Sequence, residues 1–375
     1  MAKEQFYNFV EERKKDFEDM SDAVWDYAEL CFHEYKSTKL QREYMEKDGF
    51  RITTPVAGLE TAFIAEYGSG RPILAILGEN DALAGQSQAA DVPEQRPIVP
   101  GGSGHACGHN LLGSGSIEAA CALKRYMEAN GIKGTLRYYA CPAEEGGGGK
   151  VIMAAHGAFD DVDAAVSWHP SADNAMDNTG LAQITVNFRF EGKAAHASGE
   201  PWNGRSALDA LELTCTGVQY LREHMLPTAR IHYSILNTGG AAPNVVQHTA
   251  EAQFVVRAAK ADYMEELYER VLKVARGAAM MTETTFCEPY IVSAYKDFVS
   301  NDAMDDLIIE NFRPLLPIEY TPEELEYAEV FKKCGTTPDA PTPIDYSFNE
   351  DKRKPARGST DVADVSYVTP ISQAR

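Results

Sequence analysis

Apolar positions recur at helical spacing through residues 5–48, so the chain opens on helices. The pattern changes at Arg71. Pro72-Ile73-Leu74-Ala75-Ile76-Leu77 is a short unbroken apolar run, as in a strand buried on both faces, and it stops at Gly78-Glu79-Asn80-Asp81. A Gly-rich loop over 100–109 leads into a helical stretch at 111–129. Residues 134–141 read as a second strand, followed by Pro142-Ala143-Glu144-Glu145-Gly146 and a helix from about Lys150. A third strand over 163–168 ends at His169-Pro170. Strands alternating with helices predict an α/β domain built on a doubly wound, mostly parallel sheet.

The period changes again at Leu181. Ile184, Val186, Phe188 and Phe190 fall on alternate positions, as in a strand with one face exposed. A helix over 205–224, strands near 230–237 and 249–258, a helix over 262–281 and a strand over 284–292 follow. In order this is β-α-β-β-α-β, the split βαβ unit of ferredoxin-like domains. The expected organisation is a domain made of residues 1–180 and 296–375, interrupted by an inserted α+β ferredoxin-like domain over 181–295. Beyond a helix at 303–312, Pro314, Pro317, Pro322, Pro338, Pro341, Pro343 and Pro355 exclude a long regular element. A short helix at 323–333 fits between them.

The 375 residues, 44% of them hydrophobic, suffice for a sizeable core in two or three domains. The formal charge of −21 repels phosphate backbones and anionic lipid, which argues against nucleic-acid and membrane-surface partners. It also means that an anionic substrate requires a local basic patch. The N-terminal MAKEQFYNFVEERKKDF lacks the apolar centre of a secretory signal, and no run of about 18 apolar residues occurs. Seven cysteines, odd in number and widely spread, suit reduced thiols and a cytoplasmic location better than a disulfide framework.

Candidate chemistry lies at the strand ends. In Gly104-His105-Ala106-Cys107-Gly108-His109-Asn110, Cys107 and His109 stand two apart in a loop, a spacing that lets both close on one metal ion. The helix that follows turns its N-terminal dipole on the loop, which is expected to lower the thiol pKa. The other reading is a Gly-rich turn holding a buried thiol. Glu144 and Glu145 are adjacent carboxylates that repel one another unless a metal or a proton compensates. In metal-assisted hydrolysis one such carboxylate ligates and the other takes a proton from water. His169 after a strand is, on its own, more often a capping residue than a ligand. Topology decides between these readings. Asp81, Glu144, Glu145 and His169 all follow carboxyl ends of predicted strands, the edge at which open α/β sheets form their sites. Asp81 fits a role in orienting a ligand rather than binding metal.

The stretches GENDALAGQSQ, GHACGHNLLG, YYACPAEEGGGGK, FDDVDAAVSWHP, GKAAHAS and GGAAPNVVQHTAEAQFVVRA resemble the M20 peptidases. Within them they are most similar to the Cys-Gly-His branch, as in the aminobenzoyl-glutamate-hydrolysing B-type subunits. The resemblance runs in register from Trp25 to Asp361. It implies metal ligands at Cys107, His109, Glu145 and His169, with Glu144 as the general base. It implies that the inserted domain is a lid and a dimerisation surface, whose His196 reaches a partner's active site and polarises the scissile carbonyl. It also places Asn244 and Arg257 where a substrate carboxylate is held; a guanidinium fork suits that carboxylate. The activity so implied is metal-dependent hydrolysis of an N-acyl amino acid amide, p-aminobenzoyl-glutamate foremost or a dipeptide-like amide.

In one respect the chain departs from the family pattern. M20 members carry another metal-ligating histidine near the C-terminus, after the Ser-Thr-Asp-Val segment, whereas no histidine follows His248 in this sequence. The expectation is a native chain that extends past Arg375 and supplies it, the domain over 296–375 being incomplete. The alternative is a catalytically impaired or scaffolding subunit of a hetero-oligomeric amidohydrolase. Two divalent ions per site, zinc or manganese, are expected of an intact chain, together with a homodimer or heteromer formed through the inserted domain.

Overall fold

A computed structural model describes residues 2–335, 338–353, 355–356 and 358–375. The chain forms two compact units: Met1–Thr179 with Val299–Pro355 and Asp364–Arg375, and Gly180–Phe298 with Ala356–Ala363. Residues 356–363, expected with the enclosing domain, thus group with the second unit.

The first unit opens on α1 (Ala2–Glu11), α2 (Lys14–Tyr27) and α3 (Tyr35–Lys47). The strands β1 (Arg51–Thr53), β2 (Phe63–Ser69) and β3 (Ile73–Glu79) precede α4 (His109–Asn130). Then come β4 (Gly134–Cys141), α5 (Gly149–Ala155), β5 (Ala164–Trp168) and β6 (Asn174–Ala175). The second unit holds β7 (Ala182–Glu191), α6 (Ala207–Arg222), β8 (Arg230–Asn237), β9 (Thr249–Ala258), α7 (Ala261–Thr282), β10 (Thr285–Phe286) and β11 (Tyr290–Tyr295). The chain then forms α8 (Asp302–Phe312), α9 (Pro322–Lys332), β12 (Phe348–Asn349), α10 (Val362–Val365) and β13 (Ile371–Ala374). None of the described helices is long and apolar enough to cross a membrane.

The sheet of the first unit has the order β1-β2-β4-β3-β5-β13. β4, β3, β5 and β13 run parallel, and β2 pairs antiparallel with β4, as β1 does with β2. The fold is therefore α/β with a mostly parallel sheet, carrying an antiparallel margin that the apolar pattern did not announce. β3 is buried from Ala75 to Glu79, as its unbroken apolar run requires. Phe17, Met20 and Met45 from α2 and α3 pack with Ile117, Ala120 and Cys121 of α4 and with Phe63, Ile76, Leu136 and Tyr138 of the sheet.

Helix α4 starts at His109, two residues earlier than the hydrophobic pattern suggests. Gly108, at φ 79°, makes the turn into it, and its carbonyl accepts from Leu111 and Leu112. Gly113 lets that first turn close on the end of β3: a Cβ there would stand 2.1 Å from Asn80 Oδ1 and 2.5 Å from the Glu79 carbonyl. Only a residue without a side chain permits this approach.

In the second unit β7 lies between β9 and the pair β10 and β11, with β8 outside β9 and the pairings antiparallel. Along β9, Ala250, Ala252, Phe254, Val256 and Ala258 are buried while every intervening residue is not. Their face meets α6 and α7 through Leu211, Val218, Leu267 and Val271. This is the ferredoxin-like arrangement read from the sequence. Its last strand, expected as one piece over 284–292, is divided at residues 287–289, where Pro289 has no amide hydrogen for the ladder.

Candidate metal centre

Three strands of the first unit end beside the start of α4. β3 ends at Glu79 and runs on to Asp81, β4 ends ahead of Glu144 and Glu145, and β5 ends ahead of His169. Cys107, His109 and His169 each offer a ligand atom within 4.8 Å of the others, and so do Glu79, His109 and Glu144. The Cys107 sulfur stands 3.3 Å from His169 Nε2. Glu145 Oε1 comes within 3.9 Å of His109 Nε2. Cys107, Glu144, Glu145 and His169 are thus gathered around the imidazole of His109.

That imidazole is fully buried, and its orientation is set by Asp81. Asp81 Oδ1 lies 3.0 Å from His109 Nδ1, while Oδ2 accepts the Glu145 amide at 2.8 Å. One carboxylate therefore ties the first turn of α4 to the loop after β4 and turns Nε2 of His109 toward the other donors. The neighbouring His105 serves differently: its Nε2 sits 3.0 Å from the Val24 carbonyl, and burial pushes its pKa down to about 4.

Two buried residues to which the motifs assigned no role complete the surroundings. Glu79, 2% exposed, forms a 2.7 Å ion pair with Lys150, which is fully buried. Glu34, also fully buried, uses Oε1 to accept the amides of Phe32 at 3.0 Å and Ala143 at 2.9 Å. Both amides belong to non-glycine residues in the left-handed region, at φ 60° and 61°. Glu34 thus fixes the unusual backbone immediately before Glu144. Its signal in the sequence was only a carboxylate after a helix; Glu79 was visible as the charged end of an apolar strand.

The electrostatics favour a cation here. Burial alone would lower the pKa of His109, yet Glu79 and Asp81 outweigh it and hold the ring well above the ordinary imidazole value. Burial pushes the Glu145 carboxyl up. Burial likewise raises the Cys107 thiol, against the lowering expected from the helix N-terminus; His109 opposes this only in part. Desolvation outweighs the lowering by His109 because withdrawing the thiol from water disfavours its charged form. His109 Nε2, Glu79 Oε2 and Glu145 Oε1 are buried without a hydrogen-bond partner. A thiol, two imidazoles and carboxylates whose buried donors lack partners fit a divalent ion.

The remaining predicted residues lie in the second unit. His196 is exposed; its Nδ1 accepts the amides of Ser198 and Gly199 at 3.2 and 3.1 Å. Asn244, exposed, adjoins it: the Ala197 amide donates to the Asn244 carbonyl at 2.9 Å, and His196 bridges Val245. Arg257 is half-buried on β9, beside Arg230 and Gln183 on the flanking strands. Burial lowers its pKa, with no acidic group opposing it among the described residues.

Comparison with known proteins places these residues in context. The family model described as Peptidase family M20/M25/M40 matches residues 75–295. The B-type subunit of p-aminobenzoyl-glutamate hydrolase from Escherichia coli (strain K12) is 38% identical over 400 residues, covering 99% of this chain and 83% of that protein. Among solved structures, an aminobenzoyl-glutamate utilization protein from Klebsiella pneumoniae superposes with a TM-score of 0.70 at 19% identity, covering 98% of this chain and 93% of that one. The Bacillus subtilis YXEP protein, described as a dinuclear metal binding peptidase from the M20 family, gives 0.62 at 20% identity, covering 98% and 88%. At those identities the two structures speak for the fold.

Proposed function

The chain belongs to peptidase family M20/M25/M40, a hydrolase of amide or dipeptide-like bonds, and we propose that its substrate is an N-acyl amino acid, p-aminobenzoyl-glutamate foremost. The observation that carries this reading is the gathering of Cys107, His109, Glu144, Glu145 and His169 about buried donors without partners. Cys107, His109, Glu145 and His169 are the ligands in this proposal, and two divalent ions the complement. Thiolate ligation favours zinc, while the carboxylates leave room for manganese. When bound, such ions polarise the amide carbonyl and make water nucleophilic near neutral pH.

The chain's own residues do the rest. Glu144 takes a proton from the attacking water and returns it to the leaving amine, so that the nitrogen departs neutral. Asp81 keeps the His109 ring in one tautomer and, through the Glu145 amide, holds the carboxylate pair in place. His196 steadies the carbonyl oxygen as charge develops, acting from a partner molecule. Asn244 and Arg257 hold the substrate carboxylate. For Arg257 the supporting feature is a half-buried guanidinium with no acidic partner of its own among the described residues, which a ligand carboxylate satisfies.

The test is release of p-aminobenzoate from p-aminobenzoyl-glutamate by the metal-loaded protein and by Glu144→Gln. The variant keeps the shape and removes the proton acceptor, so turnover falls by about two to four orders of magnitude with metal content unchanged. Near-normal turnover in Glu144→Gln removes Glu144 from the role of base. A second reading is favoured because the Escherichia coli relative is named as one subunit of a hydrolase: this chain acts within a homodimer or heteromer formed through its second unit, in the extreme as a silent scaffold. Metal retention without hydrolysis, relieved by a partner chain, distinguishes that case.

A further inference from the structure

Glu79 belongs to none of the roles assigned so far, yet it lies at the centre of the site. Its Oε1 is engaged by the Lys150 ammonium at 2.7 Å. Its Oε2 points the other way, 3.2 Å from His109 Nε2, and neither of those two atoms has a hydrogen-bond partner although both are buried. Asp81 takes the Nδ1 side of the ring, so an imidazole that gives up its Nε2 proton, as a ligand must, turns that lone pair on the Glu79 carboxylate. Two acceptors so placed repel unless a positive centre lies between them. Two ligand atoms bound to one ion at ordinary zinc–nitrogen and zinc–oxygen lengths stand about 3.0–3.5 Å apart. The observed separation falls within that interval.

Charge leads to the same place. With Cys107 as thiolate, the negative groups are Cys107, Glu79, Asp81, Glu144 and Glu145, set against the ammonium of Lys150. The acidic groups thus outnumber the one ammonium, which suits cations at this place. Cys107 and His169 form one corner of the site; Glu79 and Glu144 form the other, and His109 stands between them.

We propose that Glu79 is a ligand of a second cation seat, shared with His109 and lying away from Cys107, and that Lys150 holds its carboxylate in the ligating orientation. The proposal rests on the metal-dependent reading above and names a residue which that reading leaves out. The ion pair with Lys150 restrains the side chain through one oxygen and leaves the other directed at the seat, an outer contact of the kind that orients ligating carboxylates.

Cobalt(II) titration of the metal-free full chain under reducing conditions tests this by absorbance. An ion bound through Cys107 produces a thiolate-to-cobalt charge-transfer band, whereas an ion in the Glu79 seat adds only d–d absorption. The wild type is expected to bind two ions, one with the band and one without. Glu79→Gln keeps an acceptor for Lys150 and should weaken the second ion at least tenfold, leaving the charge-transfer band intact. Equal titrations of wild type and variant overturn the proposal while the metal reading stands; a wild type that takes up a single ion overturns the proposal together with the two-ion complement, but not metal binding itself. Failure of the wild type to bind any ion defeats the metal reading itself. Should Glu79→Gln not fold, Glu79→Asp retains the charge against Lys150 but withdraws the oxygen by one methylene. It too should loosen the second ion, and an unaltered titration counts against the proposal.

Discussion

Both units have an apolar core, but the first also buries a cluster of charges that the helix-facing side of the second unit's sheet does not. Around β9 of the second unit the inward positions are Ala250, Ala252, Phe254, Val256 and Ala258, all apolar, and they meet apolar residues of α6 and α7. At the carboxyl edge of the sheet in the first unit, Glu34, Glu79, Asp81, His109 and Lys150 are as thoroughly buried. Desolvation of those groups costs free energy that mutual pairing returns only in part, and His109 Nε2, Glu79 Oε2 and Glu145 Oε1 lack a hydrogen-bond partner. The comparison separates a packing core, whose substitution removes stability, from a charged core, whose substitution removes a site.

The sharpest way to break that separation is a truncation in the apolar core. Phe254→Ala removes a ring with centroid 5.0 Å from Phe188 and 5.4 Å from Tyr233, and should cost about 3–5 kcal/mol by chemical denaturation. Metal content of the folded fraction should not change. Loss of metal in this variant would show the two cores to be coupled.

Cys107→Ser is the reciprocal change. It retains the volume and removes the proposed soft ligand, so the protein should lose most of its metal and at least about a hundredfold in turnover. The melting temperature of the metal-free form should stay within a degree or two. Metal content equal to wild type would remove Cys107 from the ligand set.

Glu34→Ala addresses a residue that touches neither the proposed metal ligands nor the proposed base. Releasing the Ala143 and Phe32 amides lets the loop before Glu144 leave its left-handed conformation, and kcat should fall about tenfold with KM and metal content little altered. Glu34→Gln keeps the accepting oxygen and should recover most of the loss. A fall in metal content equal to the fall in kcat would instead make Glu34 part of the support for the ions.

The smallest effect concerns pH. Glu118 on α4 is half-buried, with one carboxylate oxygen lacking a partner, and burial followed by Glu11 and Glu18 pushes its pKa from 4.5 up to about 7. The folded state then holds this proton where the unfolded chain has released it, so stability falls as pH rises between those values. Glu118→Gln should raise the melting temperature by a few degrees at pH 8 and leave it unchanged at pH 4. An equal shift at both pH values would mean that the gain comes from packing.

Much of this protein could be read before any coordinates. The apolar run of β3, the alternation along β7 and β9 and the helical spacing of α6 and α7 are local patterns, and each imposes its element whatever its neighbours. The motif around Cys107 and His109, the Glu144–Glu145 pair and His169 were also evident, because strand ends in an alternating β/α order share one edge of a sheet. What remained hidden depends on partners distant in the chain. β2 and β13 are strands through their pairing with β4 and β5, and neither carries a pattern sufficient to announce it. Glu79 meets Lys150 across 71 residues, Asp81 meets the Glu145 amide across 64 and Glu34 meets the Ala143 amide across 109. The elevation of the Cys107 thiol likewise follows from its enclosure, which no spacing encodes. Periodicity thus determined which elements form, and motif which residues are proposed to carry chemistry. Long-range packing alone decided which buried charges face one another, because ion pairing and desolvation depend on distances in space that sequence separation does not set.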